Sequence, residues 1–156
     1  MSDFTPNTSD ITAAEFVDRQ AIVDHTHRYC WALDQKDWHL LDSVFVADAT
    51  ADLRSASLLV GRDAIRHRIS TAIDALDATQ HTVTNHQVVI DGDRATARTY
   101  LHSQHIRRAV EGSPLFVIAG RYEDELSRTS DGWRITFRRL VEVWTDGNID
   151  VVRPRR

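Results

Sequence analysis

The spacing of apolar residues divides the chain into a helical first half and a strand-rich second half. Residues typical of a buried stripe recur every three or four positions along the first predicted helix, at Ile22, Thr26, Tyr29 and Leu33. Thr12 followed by Glu15 fits a capping box. The first helix is therefore predicted to begin near Ala13 and to run to about Leu33.

Two shorter helices are predicted after it. Residues 37–45 (DWHLLDSVF) begin with the capping residue Asp37 and place three apolar side chains on one face, Trp38, Leu41 and Phe45. Residues 62–76 follow Gly61 and carry isoleucine at every fourth position, at Ile65, Ile69 and Ile73. The residues between them, 51–59, are predicted to form a loop.

From Thr79 onward, apolar and polar residues alternate with a period of two, which predicts β-strands. The Asp-Gly-Asp sequence at 91–93 is a strong hairpin signal between the first two strands. Two further strands are predicted over residues 115–128 and 133–144, around the turn at 130–132. Helices followed by long antiparallel strands predict an α+β fold. We expect a curved antiparallel or mixed sheet wrapped around the N-terminal helices, a cystatin-like α+β barrel that forms a cone with an internal pocket.

The length of 156 residues fits one domain. We expect a flexible arm over residues 1–11, a single domain over 12–146 and a peripheral tail over 147–156. Hydrophobic residues make up 42% and charged residues 27% of the chain, a mixture typical of a globular protein with a sizeable core. Cys30 is the only cysteine, which excludes a disulfide scaffold.

The formal net charge of −4 argues against a nucleic-acid partner. The first ten residues lack the basic start and apolar run of a secretory signal. No apolar stretch approaches the roughly 20 residues that span a bilayer. The expectation is a cytoplasmic protein with no membrane partner.

Eight histidines are a high number for this length. Strand parity places His81 and His105 on the inward face of the first two strands, and puts His86 and His102 on the other face. Asp34 follows the apolar stripe at the end of the first helix. A carboxylate that accepts a hydrogen bond from one imidazole nitrogen fixes the tautomer, so the other nitrogen can take a substrate proton. The spacings of histidine and cysteine do not fit a metal site, and none is predicted.

Three stretches of the chain form one ordered pattern: residues 28–50 (RYCWALDQKDWHLLDSVFVADAT), residues 60–69 (VGRDAIRHRI), and residues 79–99 with 120–140 (TQHTVTNHQVVIDGDRATART and GRYEDELSRTSDGWRITFRRL). In this order and spacing they resemble the SnoaL-like branch of the nuclear-transport-factor-2-like superfamily. The resemblance covers about Ala14 to Trp144 and implies the cone fold. It leaves the chemistry open, because this fold hosts dehydratases, isomerases, cyclases, dehydrochlorinases, dioxygenase small subunits and non-enzymatic binders.

The resemblance is closest in site pattern to the scytalone dehydratase-type enzymes. Asp34 in LDQKDW, His81 in TQH and His105 in SQH occupy the positions of that family's aspartate and two histidines. Tyr29 resembles the helix-one tyrosine of the bile-acid dehydratase. The resemblance implies that His81 is the base, that Asp34 orients it, and that His105 or Tyr29 is a candidate acid. The pairing of an aspartate on helix one with a strand histidine is similar in the hexachlorocyclohexane dehydrochlorinases.

The sequence departs from the scytalone dehydratase pattern around the pocket. Leu33 stands where those enzymes have a tyrosine, and Phe116 and Ile118 stand where they have a polar pair. These changes imply a more apolar pocket and a substrate other than scytalone. The side chains expected to contact substrate are Tyr29, Asn85, Phe116, Ile118 and Trp144.

The sequence therefore predicts a cofactor-independent lyase, dehydratase-like, that acts on a small and largely apolar cyclic carbonyl compound. An isomerase or cyclase that uses the same base remains open, as does a non-catalytic small-molecule carrier or a module like a dioxygenase small subunit. Arg138 and Arg139 are expected on a solvated or interface face. The outer sheet face, with Val117, Ala119 and Leu140, needs cover, so a homo-oligomer is expected, either a dimer or a trimer.

Overall fold

Helical segments precede and flank a single six-stranded sheet in the computed structural model, which describes residues 11–153. In chain order the elements are α1 (Ala13–Gln35), a 3₁₀ helix (Trp38–Ser43), β1 (Phe45–Asp52), β2 (Leu59–Val60), α2 (Arg62–Ile73), β3 (Ala78–Asp91), β4 (Arg94–Ile106), β5 (Leu115–Thr129), β6 (Gly132–Gly147) and a second 3₁₀ helix (Ile149–Val151). Nearly all of the predicted flexible arm, residues 1–10, and the last three residues of the predicted tail lie outside the described residues.

The ends of α1 follow from identifiable caps. The side chain of Thr12 accepts a hydrogen bond from the backbone N–H of Glu15, at 3.1 Å, which confirms the predicted start. Lys36 adopts a left-handed conformation with φ 55°, and its N–H bonds to the carbonyls of Ala32 and Leu33. The helix therefore ends at Gln35, and Asp34 lies in its last turn.

The segment after α1 differs from the prediction. Residues 38–43 form a 3₁₀ helix, and Phe45 begins strand β1 instead of closing a helix. The strand pairs in parallel with β6 and antiparallel with β2, so the sheet is mixed. Its alternation is hidden in the sequence because the register of β1 against β6 shifts between Phe45 and Thr50.

The sheet runs in the order β2-β1-β6-β5-β4-β3. Its inner face packs against the buried stripe of α1 and the isoleucines of α2, which form one hydrophobic core. On β4 the inward residues are small or apolar apart from the last, and they are Ala95, Ala97, Thr99, Leu101, Ser103 and His105. The sheet curves but does not close, which confirms the predicted α+β cone.

Extra residues in two strands shift which side chains face inward. In β3, one bulge lies between Thr84 and Gln87, and Asn85 there has φ 55°. After it the parity reverses, and the Nδ1 atom of His86 lies 2.8 Å from the hydroxyl of inward-facing Thr99. The prediction that His86 faces the outer side of the sheet is therefore wrong. That prediction for His102 is confirmed, since its ring is exposed and packs edge-on against Trp144.

A similar bulge in β6 reverses the expectation for Arg138. The register of β5 against β6 shifts by one residue between Glu125 and Leu126, so Arg138 points inward and is fully buried. The prediction of a solvated Arg138 is therefore wrong, whereas Arg139 is half-exposed. Leu140 was expected on the outer face, but it lines the interior.

No helix among residues 11–153 combines the length and the apolar character needed to cross a membrane.

Candidate active site

The end of α1 and the start of β3 bring Asp34 and His81 into direct contact. The Oδ1 atom of Asp34 lies 2.6 Å from Nδ1 of His81, and the other carboxylate oxygen accepts the backbone N–H of His81 at 2.9 Å. The hydroxyl of Thr79 donates to Oδ1 at 2.6 Å. Three donors therefore converge on one carboxylate.

These contacts determine the charge of Asp34 and the tautomer of His81. Burial alone would raise the pKa of Asp34, but the hydrogen bonds from His81 and Thr79 outweigh it and hold the pKa below its usual range. An ionised carboxylate only accepts hydrogen bonds, so the Nδ1 atom of His81 carries a proton. In the neutral form of the ring, the free lone pair is therefore on Nε2.

His105 lies beside His81 on the neighbouring strand. The two rings meet edge to face, with centroids 5.8 Å apart. Burial lowers the pKa of His105 to about 4, and the nearby His81 ring acts in the same direction. His105 is therefore neutral at pH 7, with its Nδ1 atom buried and without a hydrogen-bond partner.

Both histidines line a cavity of about 530 Å³ between the helices and the inner face of the sheet. Its wall is mostly aliphatic or aromatic, and the residues of this kind include Leu33, Leu101, Ile118, Tyr122 and Leu140. Asp34 stands behind His81, in a separate groove between α1 and β3. His81 lines this groove as well as the cavity, whereas Asp34 lines only the groove.

The five expected substrate contacts divide into two groups. Tyr29 and Ile118 line the cavity. Phe116 is buried opposite His105 in the strand register, but it is not part of the cavity wall. Asn85 is exposed at the β3 bulge, and Trp144 is half-exposed on the outer face of the sheet, so neither reaches the cavity.

A buried ionic cluster next to the cavity, behind two tyrosines that line it, was not predicted. The guanidinium of Arg138 donates through Nε and Nη2 to the two oxygens of Asp124, at 2.7 and 2.6 Å. It lies 4.2 Å from the ring centre of Tyr29 and 4.3 Å from that of Tyr122. The cluster fixes Tyr29, whose pKa is raised to about 12 by burial, so its hydroxyl stays protonated.

The sequence did contain a signal for Thr79 but none for Arg138. Thr79 lies two residues before His81, and alternation places both side chains on one face of β3. The inward direction of Arg138 depends on a bulge that no local sequence pattern marks. Among residues 11–153, no group of three or more histidine, cysteine, aspartate or glutamate side chains is arranged to hold a metal ion.

Comparisons with known proteins give a consistent picture. The model of the SnoaL-like domain family matches residues 14–139. Rv2910c, an uncharacterized protein of Mycobacterium tuberculosis, is 32% identical over 131 residues, which span 83% of this chain and 88% of that protein. The crystal structure of Kfla4162 from Kribbella flavida has a TM-score of 0.83 and 27% identity, and the match covers 89% of this chain and 99% of that chain.

A further solved structure carries a chemical description. It is a candidate scytalone dehydratase from Novosphingobium aromaticivorans, with a TM-score of 0.75 and 23% identity, and the match covers 84% of this chain and 87% of that chain. At this identity the likeness shows a shared fold.

Proposed function

This chain belongs to the SnoaL-like domain family, and on that premise we propose that it is a lyase that needs no cofactor and uses His81 as its general base. The observation that carries the proposal is the fixed tautomer of His81. The carboxylate of Asp34 contacts Nδ1 of His81 at 2.6 Å from the groove outside the cavity, so Nε2 is the nitrogen left for a substrate in the cavity that His81 lines. The description of one structural neighbour as a candidate scytalone dehydratase supports the same class of reaction.

The proposed reaction removes a proton and a leaving group from neighbouring carbons. The Nε2 atom of His81 takes the proton from the carbon beside a carbonyl, and the electron pair of that C–H bond forms the new double bond. The C–O bond to the leaving hydroxyl breaks, and the imidazolium of His81 returns its proton to that oxygen, so water departs. The ionised Asp34 stabilises the imidazolium while it lasts.

Two further polar groups that line the cavity, His105 and Tyr29, suit hydrogen bonding better than proton transfer. His105, with a pKa of about 4, is neutral, and Tyr29, with a pKa of about 12, keeps its proton. Each can therefore direct a hydrogen bond to a carbonyl or a leaving oxygen without changing charge. This assigns the return of the proton to His81 and a steering role to His105 or Tyr29.

The cavity wall supports the proposed substrate class. The volume of about 530 Å³ and the apolar lining suit a small cyclic carbonyl compound. Tyr29 and Ile118 are the proposed substrate contacts. Asn85 and Trp144 are left out of the proposed site because they lie away from the cavity.

Hydrogen–deuterium exchange tests the base without knowledge of the leaving group. A panel of small cyclic ketones is incubated with the protein in D₂O, and NMR follows deuterium incorporation beside the carbonyl. We expect His81→Asn and Asp34→Asn to lower the exchange rate by about 100-fold or more. His102→Asn removes an exposed histidine on the outer face and is the matched control.

Two outcomes separate the alternatives. Exchange that is the same in wild type and in both dyad variants would exclude His81 as a base and leave a small-molecule carrier as the function. Exchange that depends on the dyad but yields a rearranged product in place of an eliminated one would identify an isomerase.

A further inference from the structure

Arg107 is a buried cation with no acidic partner among the described residues. It lies just beyond the end of β4, is 6% exposed, and lines the cavity that holds His81 and His105. Its Nη1 atom donates to the backbone carbonyl of Arg153 at 2.8 Å. Its Nε atom is buried and has no hydrogen-bond partner within residues 11–153.

The other fully buried arginine shows what such a group ordinarily requires. Arg138 uses its Nε and Nη2 atoms, one edge of the guanidinium, to hold both oxygens of Asp124. A buried charge is costly unless it is paired. In Arg107 the Nε atom of the same edge is unpaired and belongs to a side chain that lines the cavity.

Arg68 adds a second cation to the same wall. It lies on α2, lines the cavity, and forms no hydrogen bond or ion pair with any described residue. Two other arginines of the wall are already neutralised, since Arg54 pairs with Glu142, and Arg153 lies 2.9 Å from Asp150. The uncompensated positive charge of the cavity therefore belongs to Arg107 and Arg68.

We propose that Arg107 and Arg68 form a carboxylate-binding subsite of the cavity, so that the substrate is a cyclic carbonyl compound with an anionic carboxylate arm. The Nε–Nη2 edge of a guanidinium matches the two oxygens of a carboxylate, as the Arg138–Asp124 pair illustrates within this chain. Arg68 supplies a second charge from α2.

The subsite lies at a useful distance from the base. Arg107 follows His105 by two residues on the same side of the strand, which separates their Cα atoms by about 7 Å. A carboxylate held by Arg107 would therefore place a ring of ordinary size beside the two histidines. The anchoring charge and the apolar ring would together set the orientation of the substrate.

This inference rests on the proposed function only in so far as it calls the bound molecule a substrate. The anion site can be tested by binding alone, with probes that undergo no reaction. We use 2-naphthoate, its neutral analogue 2-naphthamide, and 2-naphthyl phosphate, and we measure dissociation constants by isothermal titration calorimetry. The three probes share one apolar ring system and differ in the group that would meet Arg107.

We expect 2-naphthoate to bind at least tenfold more tightly than 2-naphthamide. Arg107→Gln and Arg68→Gln should each reduce this ratio at least threefold, and the double variant should abolish it. Arg68→Gln is the cleaner variant, because Arg68 has no hydrogen bond to lose, whereas Arg107 also holds the C-terminal segment. Arg108→Gln and Arg66→Gln are matched controls, since those arginines pair with Asp77 and Asp42 and do not line the cavity.

Several results would overturn the proposal. Equal affinity for 2-naphthoate and 2-naphthamide would do so, as would a preference that survives the double variant. Tighter binding of 2-naphthyl phosphate than of 2-naphthoate, by tenfold, would replace the carboxylate with a phosphate ester. His81→Asn should leave the ratio of the two affinities, for 2-naphthoate and 2-naphthamide, unchanged. The arginine variants therefore test the anion site, and the His81 variant tests the base separately.

Discussion

At the scale of single residues, Asp34 occupies a position that needs outside support. It lies in the last turn of α1, where the partial negative charge of the helix end opposes a carboxylate. The three donors from Thr79 and His81 offset that repulsion and hold Asp34 ionised. Helix propensity alone would not favour an acidic side chain there, so its hydrogen-bond partners on β3 account for the presence of an aspartate at this position.

Thr79 is the positioning residue in this arrangement, and Thr79→Val tests it. The variant removes one donor from Asp34, so the pKa of Asp34 should rise and the His81 ring should be held less firmly. We expect the deuterium-exchange rate at pH 7 to fall about tenfold and the acid limb of its pH profile to move to higher pH. Thr79→Ser, which keeps the hydroxyl, should restore both the rate and the profile.

A purely structural role for Thr79 predicts something different. In that case Thr79→Val would lower thermal stability while the acid limb of the profile stayed in place. The position of the acid limb of the exchange profile, and not the exchange rate alone, therefore distinguishes a positioning role of Thr79 from a structural one.

At the scale of elements, periodic patterns predict helices and strands correctly where one period persists along the whole element. The start of α1, the isoleucine stripe of α2 and the long strands β3 to β6 all follow from uninterrupted spacing. Strand β1 was missed because its register shifts within eight residues. The direction of Arg138 was missed because one extra residue in β6 inverts the alternation.

The candidate site shows the same division. Asp34, His81 and His105 lie upstream of any bulge in their own elements, so helix and strand periodicity brought them to one place. Asn85 lies in the β3 bulge, and its parity with His81 therefore gave no guide to its direction. Parity is transferable along a strand only as far as the first inserted residue.

Gly120 offers a test of the bulge between β5 and β6. A Cβ atom at this position would overlap the backbone carbonyl of Val141, which cannot move aside as a flexible side chain would. We expect Gly120→Ala to lower the free energy of unfolding by about 3 kcal/mol, measured by urea denaturation. Gly61→Ala is the comparison, because Gly61 has φ 88° but a Cβ atom there would make only an ordinary contact, 3.9 Å from the backbone oxygen of Ala47, and the cost there should be about 1 kcal/mol.

A Gly120→Ala variant as stable as wild type would mean that the two strands separate more easily at this point than their register indicates. If Gly120→Ala and Gly61→Ala lowered the free energy of unfolding equally, the loss would be due to backbone conformation and not to the close contact between the strands.

At the scale of the whole molecule, two buried histidines make the fold sensitive to mild acid. Burial lowers the pKa of His25 to about 4, helped by Arg28, Arg134 and Arg138, and burial likewise lowers that of His105 to about 4. The unfolded chain takes up these protons near pH 6.5, whereas the folded chain does not. Stability should therefore be complete above pH 6.5 and decline as the pH falls toward 4.

The size of this decline can be measured by urea denaturation at pH 7.0, 5.5 and 4.5. The lowering of the pKa of each histidine from 6.5 to about 4 corresponds to a loss of about 3 kcal/mol in the free energy of unfolding once the pH reaches 4. His105→Gln and His25→Gln should each flatten the profile between pH 6.5 and 4, whereas His102→Gln, on the exposed outer face, should not. A wild-type profile that is flat down to pH 4.5 would contradict the account.

The outer face of the sheet bears on assembly. Tyr100 is 58% exposed and Trp144 49% exposed, and both lie on the side of the sheet that the helices do not cover. The homo-oligomer expected from the sequence stays a prediction, although Leu140 is not part of this outer face.

The contact between Asp34 and the backbone of His81 has a consequence unrelated to proton transfer. Strand β3 is the last strand of the sheet, so one row of its N–H groups has no neighbouring strand to bond with. A bare strand edge of this kind invites pairing with another chain and, from there, aggregation. By accepting the N–H of His81, the carboxylate of Asp34 closes part of that edge. Loss of this carboxylate would therefore leave one more N–H of the β3 edge without a partner, in addition to removing the group that fixes the tautomer of His81.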